Sequence, residues 1–172
     1  DFAPADRAAA EATFAEYHSS GVPPAAAYKN LQDYLFRVIV AEAGRLGLAV
    51  HIHTGSGCGD WFDIQGDQPM LLSSVLNDPR LRGTNVVLLH GGSPFERTMA
   101  SLIQHSNTFV DSSVLAFLWS PGEVANVLRP WLESMPENVL FGTDAGPFGP
   151  GMGWEETTWL GSRNFRQGLT IA

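Results

Sequence analysis

The chain has 172 residues, 44% of them hydrophobic and 16% charged, with a formal net charge of −8. That length can bury a sizeable core as one domain, and the acidic surplus excludes the basic footprint of a nucleic-acid binder. No apolar run nears the roughly 20 residues of a membrane span, and the single cysteine, Cys58, excludes an internal disulfide.

A lone cysteine fits a reducing, cytoplasmic setting. No charged leader with an apolar core is read at the start of the sequence, and with Asp1 rather than Met in first place a processed, trimmed or partial chain is expected.

In chain order, residues 5–18 are rich in Ala and Glu and predict a helix that Gly21-Val-Pro-Pro24 ends. A second helix is expected over Tyr28–Leu46, with Leu31, Leu35, Val38, Ile39, Ala43 and Leu46 forming one apolar stripe. Gly47 is its expected stop. Leu48–His53 reads as a buried strand, followed by a long loop, Thr54–Pro69, of a length often tied to function.

A short helix follows over Met70–Leu76, then a strand over Val86–Leu89, a helix over Pro94–His105 and a strand over Thr108–Asp111. Ser120 and Glu123 have capping-box spacing at the head of a helix over Pro121–Ser134. The last strand is expected over Val139–Thr143 and the last helix over Glu155–Gln167. Alternation of this kind implies parallel strands joined by crossover helices.

Three apolar runs end in groups that can hold a metal or carry a proton: His53, His90 and Asp144. Delivering such groups at the carboxyl ends of buried strands is how (β/α) barrels build active sites. His51 and His53 are two apart on a strand and share a face. His53 stands at the mouth as a candidate ligand, and His51, one layer deeper, is either a hydrogen-bonded interior histidine or a substrate contact. Gly91-Gly92 lets the backbone turn sharply after His90.

Asp144 could ligate a metal and accept a proton from water, or serve as a turn aspartate. Asp111, in Asp111-Ser112-Ser113, could line the pocket or hold a turn, and Trp61, Phe62 and Trp154 could meet substrate or pack their loops. His18 and His105 read as helix-end residues, and Cys58 as a small loop residue. The glycines of Gly55-Ser-Gly-Cys-Gly59 lack both the phosphate-binding lysine and the dinucleotide spacing.

Together, His53-Thr-Gly55, Leu89-His-Gly-Gly92, Val110-Asp-Ser-Ser113 and Phe141-Gly-Thr-Asp144 resemble the amidohydrolase superfamily, in its amidohydrolase-2 branch. The stretch from Leu31-Gln-Asp-Tyr-Leu35 to Leu89-His90 is most similar to the amidohydrolase-like domain that plants and fungi fuse to a glutamine-synthetase-like domain. The resemblance implies a (β/α)₈ TIM barrel, of which this chain covers about strands 5–8 and their helices. It implies one partial-barrel domain over 1–172, with 1–27 as an N-terminal helical segment and 28–172 carrying the strands and helices.

The same resemblance implies that His53 is the strand-5 metal ligand, His90 a ligand or substrate-polarising group, and Asp144 a ligand and general base. The implied reaction is attack of metal-activated water on an amide, ester or lactone. Decarboxylation of an aromatic acid is the alternative within the branch, and a catalytically inactive half-barrel serving as a binding module is the non-enzymatic one. One or two divalent metals, zinc first, belong to the intact barrel. The His-x-His that supplies two ligands on the family's first strand has no counterpart before residue 48, so weak or absent metal binding is expected of this chain alone. Besides a small-molecule substrate, its expected partner is a second copy or a missing N-terminal half-barrel, because four parallel strands leave two open edges.

Overall fold

A computed structural model describes residues 2–55, 57, 63–144 and 154–172. The chain forms two compact units, one of residues 1–50 and 71–85 and one of residues 51–70 and 86–172. No helix of the described residues is long and apolar enough to cross a membrane.

The first unit is built on helices α1 (Arg7–Ser20) and α2 (Ala25–Arg45). Asp6 caps α1, its carboxylate accepting from the Ala9 amide at 2.7 Å. α2 starts three residues before the expected Tyr28, because Ala25-Ala26-Ala27 are strong helix formers behind Pro24. At its other end the Gly47 amide donates to the Gly44 carbonyl at 3.0 Å and the Leu48 amide to that of Ala43 at 2.9 Å. This Schellman closure uses the positive φ of Gly47, 71°. It takes Leu48 out of the first strand, β1, which runs Val50–His53 rather than from Leu48.

Of the apolar stripe expected on α2, this unit buries Leu31 but not most of the rest. Leu35, Val38, Ile39 and Leu46 are exposed, while Leu31, Asp33, Arg37 and Val40 are buried. Val40 packs with Val75 and Leu81 against Phe2, Phe36 and Val50, and the Phe2 and Phe36 rings stack with centroids 4.3 Å apart. Arg37 can be buried because its donors are met. Its guanidinium lies 3.6 Å from Asp78 and donates to the Phe2 carbonyl and the Ser74 hydroxyl, both at 3.2 Å. Satisfied charge, not hydropathy, decides that face.

Asp78 in turn caps the 3₁₀ turn Pro79–Leu81 and accepts from the Arg80 side chain at 2.6 and 2.9 Å. Between β1 and that turn lie the 3₁₀ turn Pro69–Leu72 and helix α3 (Ser73–Leu76).

The second unit carries the sheet, ordered β1-β2-β3-β4, with β2 at Val86–Leu89, β3 at Thr108–Asp111 and β4 at Val139–Leu140. β2 pairs with β3 in parallel, Val86 opposite Thr108, and β3 with β4 in parallel, Val110 opposite Val139. The Val50 amide donates to the Asn85 carbonyl as the Val86 amide does to that of Asn107, both at 2.8 Å.

One face of the sheet is dry: Val86, Leu88, Thr108 and Val110 are fully or nearly fully buried. Helices α4 (Glu96–Leu102) and α6 (Pro121–Ser134) add Met99, Leu102, Val124, Leu128 and Trp131 to the buried core, and the Trp131 indole donates to the Glu96 carbonyl at 2.9 Å. The capping box of α6 is present, the Ser120 hydroxyl accepting from the Glu123 amide and the Glu123 carboxylate from the Ser120 amide. Two helices complete the unit, α5 (Leu115–Leu118), which has no counterpart in the sequence pattern, and α7 (Trp154–Ile171). The opposite face of the sheet carries exposed His51, His53 and Leu140.

Candidate active site

The carboxyl ends of the strands bring His53 and His90 together. Their rings meet edge to face, with centroids 4.7 Å apart and planes at 66°. Thr54 helps hold this pair, its buried hydroxyl donating to the Leu89 carbonyl at 2.7 Å and so tying the end of β1 to the end of β2. His53 is exposed and His90 is buried.

His90 begins the 3₁₀ turn His90–Gly92. Both His90 (φ 67°) and Gly91 (φ 60°) sit in the left-handed region, which costs most residues other than glycine. Position 91 also has no room for a side chain, because the Leu115 side chain and the Trp131 ring fill the space that one would need. Positive φ recurs at the other strand ends, at Val114 (66°) after β3 and Asp144 (55°) after β4. For a β-branched residue such as Val114 this is a true outlier, and strained backbone of this kind clusters where function demands it.

Behind His90 lies Asp111, the last residue of β3 and itself buried. Its Oδ1 accepts from the His90 amide at 2.8 Å, the Ser113 amide at 3.3 Å and the Ser113 hydroxyl at 2.8 Å. The Ser113 oxygen lies 2.8 Å from His90 Nδ1. Gly142, just past β4, closes this assembly, since a side chain there would run into the other Asp111 oxygen and press on Ser113. Burial pushes the His90 imidazole below its usual range, and the neighbouring His53 ring pushes the same way. The Asp144 and Asp111 carboxylates oppose both.

Of the expected site residues, the structure brings His53, His90 and Asp111 into one cluster, and the Asp144 carboxylate acts on His90 through its field. Asp144 is exposed. His51 is exposed one step earlier on the His53 face. Trp61, Phe62 and Cys58 lie outside the described residues. Ser113 is the residue that sequence reasoning noticed without assigning it a part. Its spacing of two from Asp111 at a strand end was the available sign.

A catalytic zinc takes about three protein ligands and keeps one open position. Among the described residues no group of three or more His, Cys, Asp or Glu side chains could hold a metal ion. The His53–His90 pair therefore does not make a metal centre with these residues alone.

The amidohydrolase family model matches residues 5–164. A provisionally assigned metal-dependent hydrolase from Lactobacillus casei ATCC 334, known from its crystal structure, superposes on the chain with a TM-score of 0.76 at 26% identity. The alignment covers 99% of this chain and 43% of that protein, so the chain spans less than half the length of the hydrolase it matches. Comparison with curated proteins gives no match.

Proposed function

For a chain that belongs to the amidohydrolase family, we propose that it forms part of the active site of a hydrolase that cleaves an amide, ester or lactone bond with water. The observation that carries this reading is the edge-to-face pair of His53 and His90 at the ends of neighbouring strands, with His90 biased toward its neutral form by burial. Water attacking a carbonyl must lose a proton, and a neutral imidazole accepts one near neutral pH.

With Nδ1 against Ser113, Nε2 is the His90 nitrogen left for that task. Asp144, whose charge favours a protonated His90, is the second proton carrier. His53 helps hold the reacting group in place, and His51, exposed on the same face of β1, belongs to the substrate side of the site.

The family's divalent metal, zinc first, requires ligands beyond the described residues. We read the working protein as a complete (β/α)₈ barrel in which this chain supplies strands 5–8. The remaining strands come from a longer chain, of the kind fused to a glutamine-synthetase-like domain, or from a second copy. Exposed Leu140 and Phe141 on and just past the last strand support such a cover.

The test is a panel of chromogenic amides, esters and lactones, with release of carbon dioxide from a hydroxybenzoate as a parallel channel, on the intact protein supplied with zinc or manganese. Hydrolysis that falls about 100-fold or more in His90→Ala supports the reading. No turnover of any hydrolysable substrate, or rates unchanged in both His90→Ala and Asp144→Ala, overturns it.

A further inference from the structure

We infer that Asp111 and Ser113 are positioning residues that fix the tautomer of His90, with the proton on Nδ1 and Nε2 bare and directed at the reacting partner. A carboxylate only accepts hydrogen bonds. Asp111 Oδ1 lies 2.8 Å from the Ser113 hydroxyl, so the hydroxyl proton points to Asp111. The Ser113 oxygen, having spent its proton there, can only accept from His90 Nδ1, 2.8 Å away. Neutral imidazole holds one proton, so Nε2 has none.

The same Asp111 oxygen takes the His90 backbone amide at 2.8 Å. One carboxylate thus pins both the left-handed backbone of His90, φ 67°, and the polarity of its ring. Asp111, Ser113 and His90 are all buried, where water competes little for these bonds and the chain of donors keeps its direction. An unrestrained ring would sample both tautomers, and one of them points a proton where the reaction needs a lone pair.

The consequence for catalysis rests on the hydrolase reading above, but the tautomer itself does not, and the test separates the two. Nitrogen-15 NMR of histidine-labelled, metal-free intact protein at neutral pH distinguishes protonated from bare ring nitrogens, with His90→Gln assigning the signals. The expected wild-type pattern is a proton on Nδ1 and a bare Nε2. In Ser113→Ala both ring-nitrogen shifts move toward those of a tautomer mixture, and kcat falls about tenfold or more wherever hydrolysis is measurable. A wild-type His90 protonated on Nε2, or a Ser113→Ala protein whose His90 pattern is unchanged, overturns the inference. Absence of hydrolysis beside the expected wild-type pattern would count against the hydrolase reading alone.

Discussion

Replacing Gly91 by alanine probes the turn that presents His90. Two costs add at this position. The residue sits at φ 60°, where a non-glycine residue loses about 1–2 kcal/mol. Its new methyl would also lie 2.7 Å from the Trp131 ring, and that ring is fully buried. Overpacking against a rigid core group costs about 1–3 kcal/mol. The sum is roughly 2–5 kcal/mol, and at roughly 2–4 °C per kcal/mol for a chain of this size the unfolding midpoint drops by at least about 4 °C.

Gly122→Ala is the matched control. Gly122 lies in the first turn of α6 with nothing within 4 Å of an added methyl, so alanine there is neutral or stabilising by up to about 1 kcal/mol. Urea unfolding of the two variants beside wild type measures both effects. A Gly91→Ala loss below about 1 kcal/mol, or equal effects in the two variants, would refute the reasoning that backbone sign and Trp131 packing dictate this glycine.

Asp78→Asn leaves the buried Arg37 guanidinium with its carbonyl and hydroxyl partners but no carboxylate. The expected loss is about 2–4 kcal/mol in denaturant unfolding, and a loss within experimental error would remove the pair from the account of this unit. Acid titration adds a second check. The Asp78 carboxyl is held below its ordinary 3.8 chiefly by the Arg80 hydrogen bond, so its stabilisation is present above that pH and is lost as pH falls through the folded-state value.

His90, lowered by burial from 6.5, contributes in the same direction but nearer neutrality. Below 6.5 the unfolded chain binds a proton that the folded chain resists, so stability falls on acidification through that window, and His90→Gln flattens this part of the curve. In Gly142→Ala the added methyl displaces Asp111. If the proposed hydrolysis is measurable in the intact protein, it should drop about tenfold, while a Gly83→Ala control, with open space at that position, leaves it unchanged.

The sheet and much of the helix pattern were legible along the chain. β2 and β3 occupy the expected Val86–Leu89 and Thr108–Asp111, because a short apolar run bounded by turn residues has few other places to go. The capping box of α6 and the glycine stop of α2 were readable for the same reason: caps are local chemistry within a few residues. His53 and His90 were also readable as strand-end residues, since each closes such a run.

What remained hidden depends on partners distant in sequence. Beyond Leu31, the buried face of α2 departs from the apolar stripe because Arg37 goes inside to meet Asp78, Ser74 and the Phe2 carbonyl, and no periodicity reports a satisfied charge. Only the tertiary structure joins Asp111, Ser113 and His90 through one carboxylate oxygen. Only it sets Gly142 against the other Asp111 oxygen and leaves His53, His90 and Asp144 short of a metal-binding group among the described residues. The sequence by itself determined which strand ends would carry reactive groups, because hydropathy and turn chemistry are local. Which of those groups meet, and which proton each one holds, was decided by contacts that form only when the strands pair.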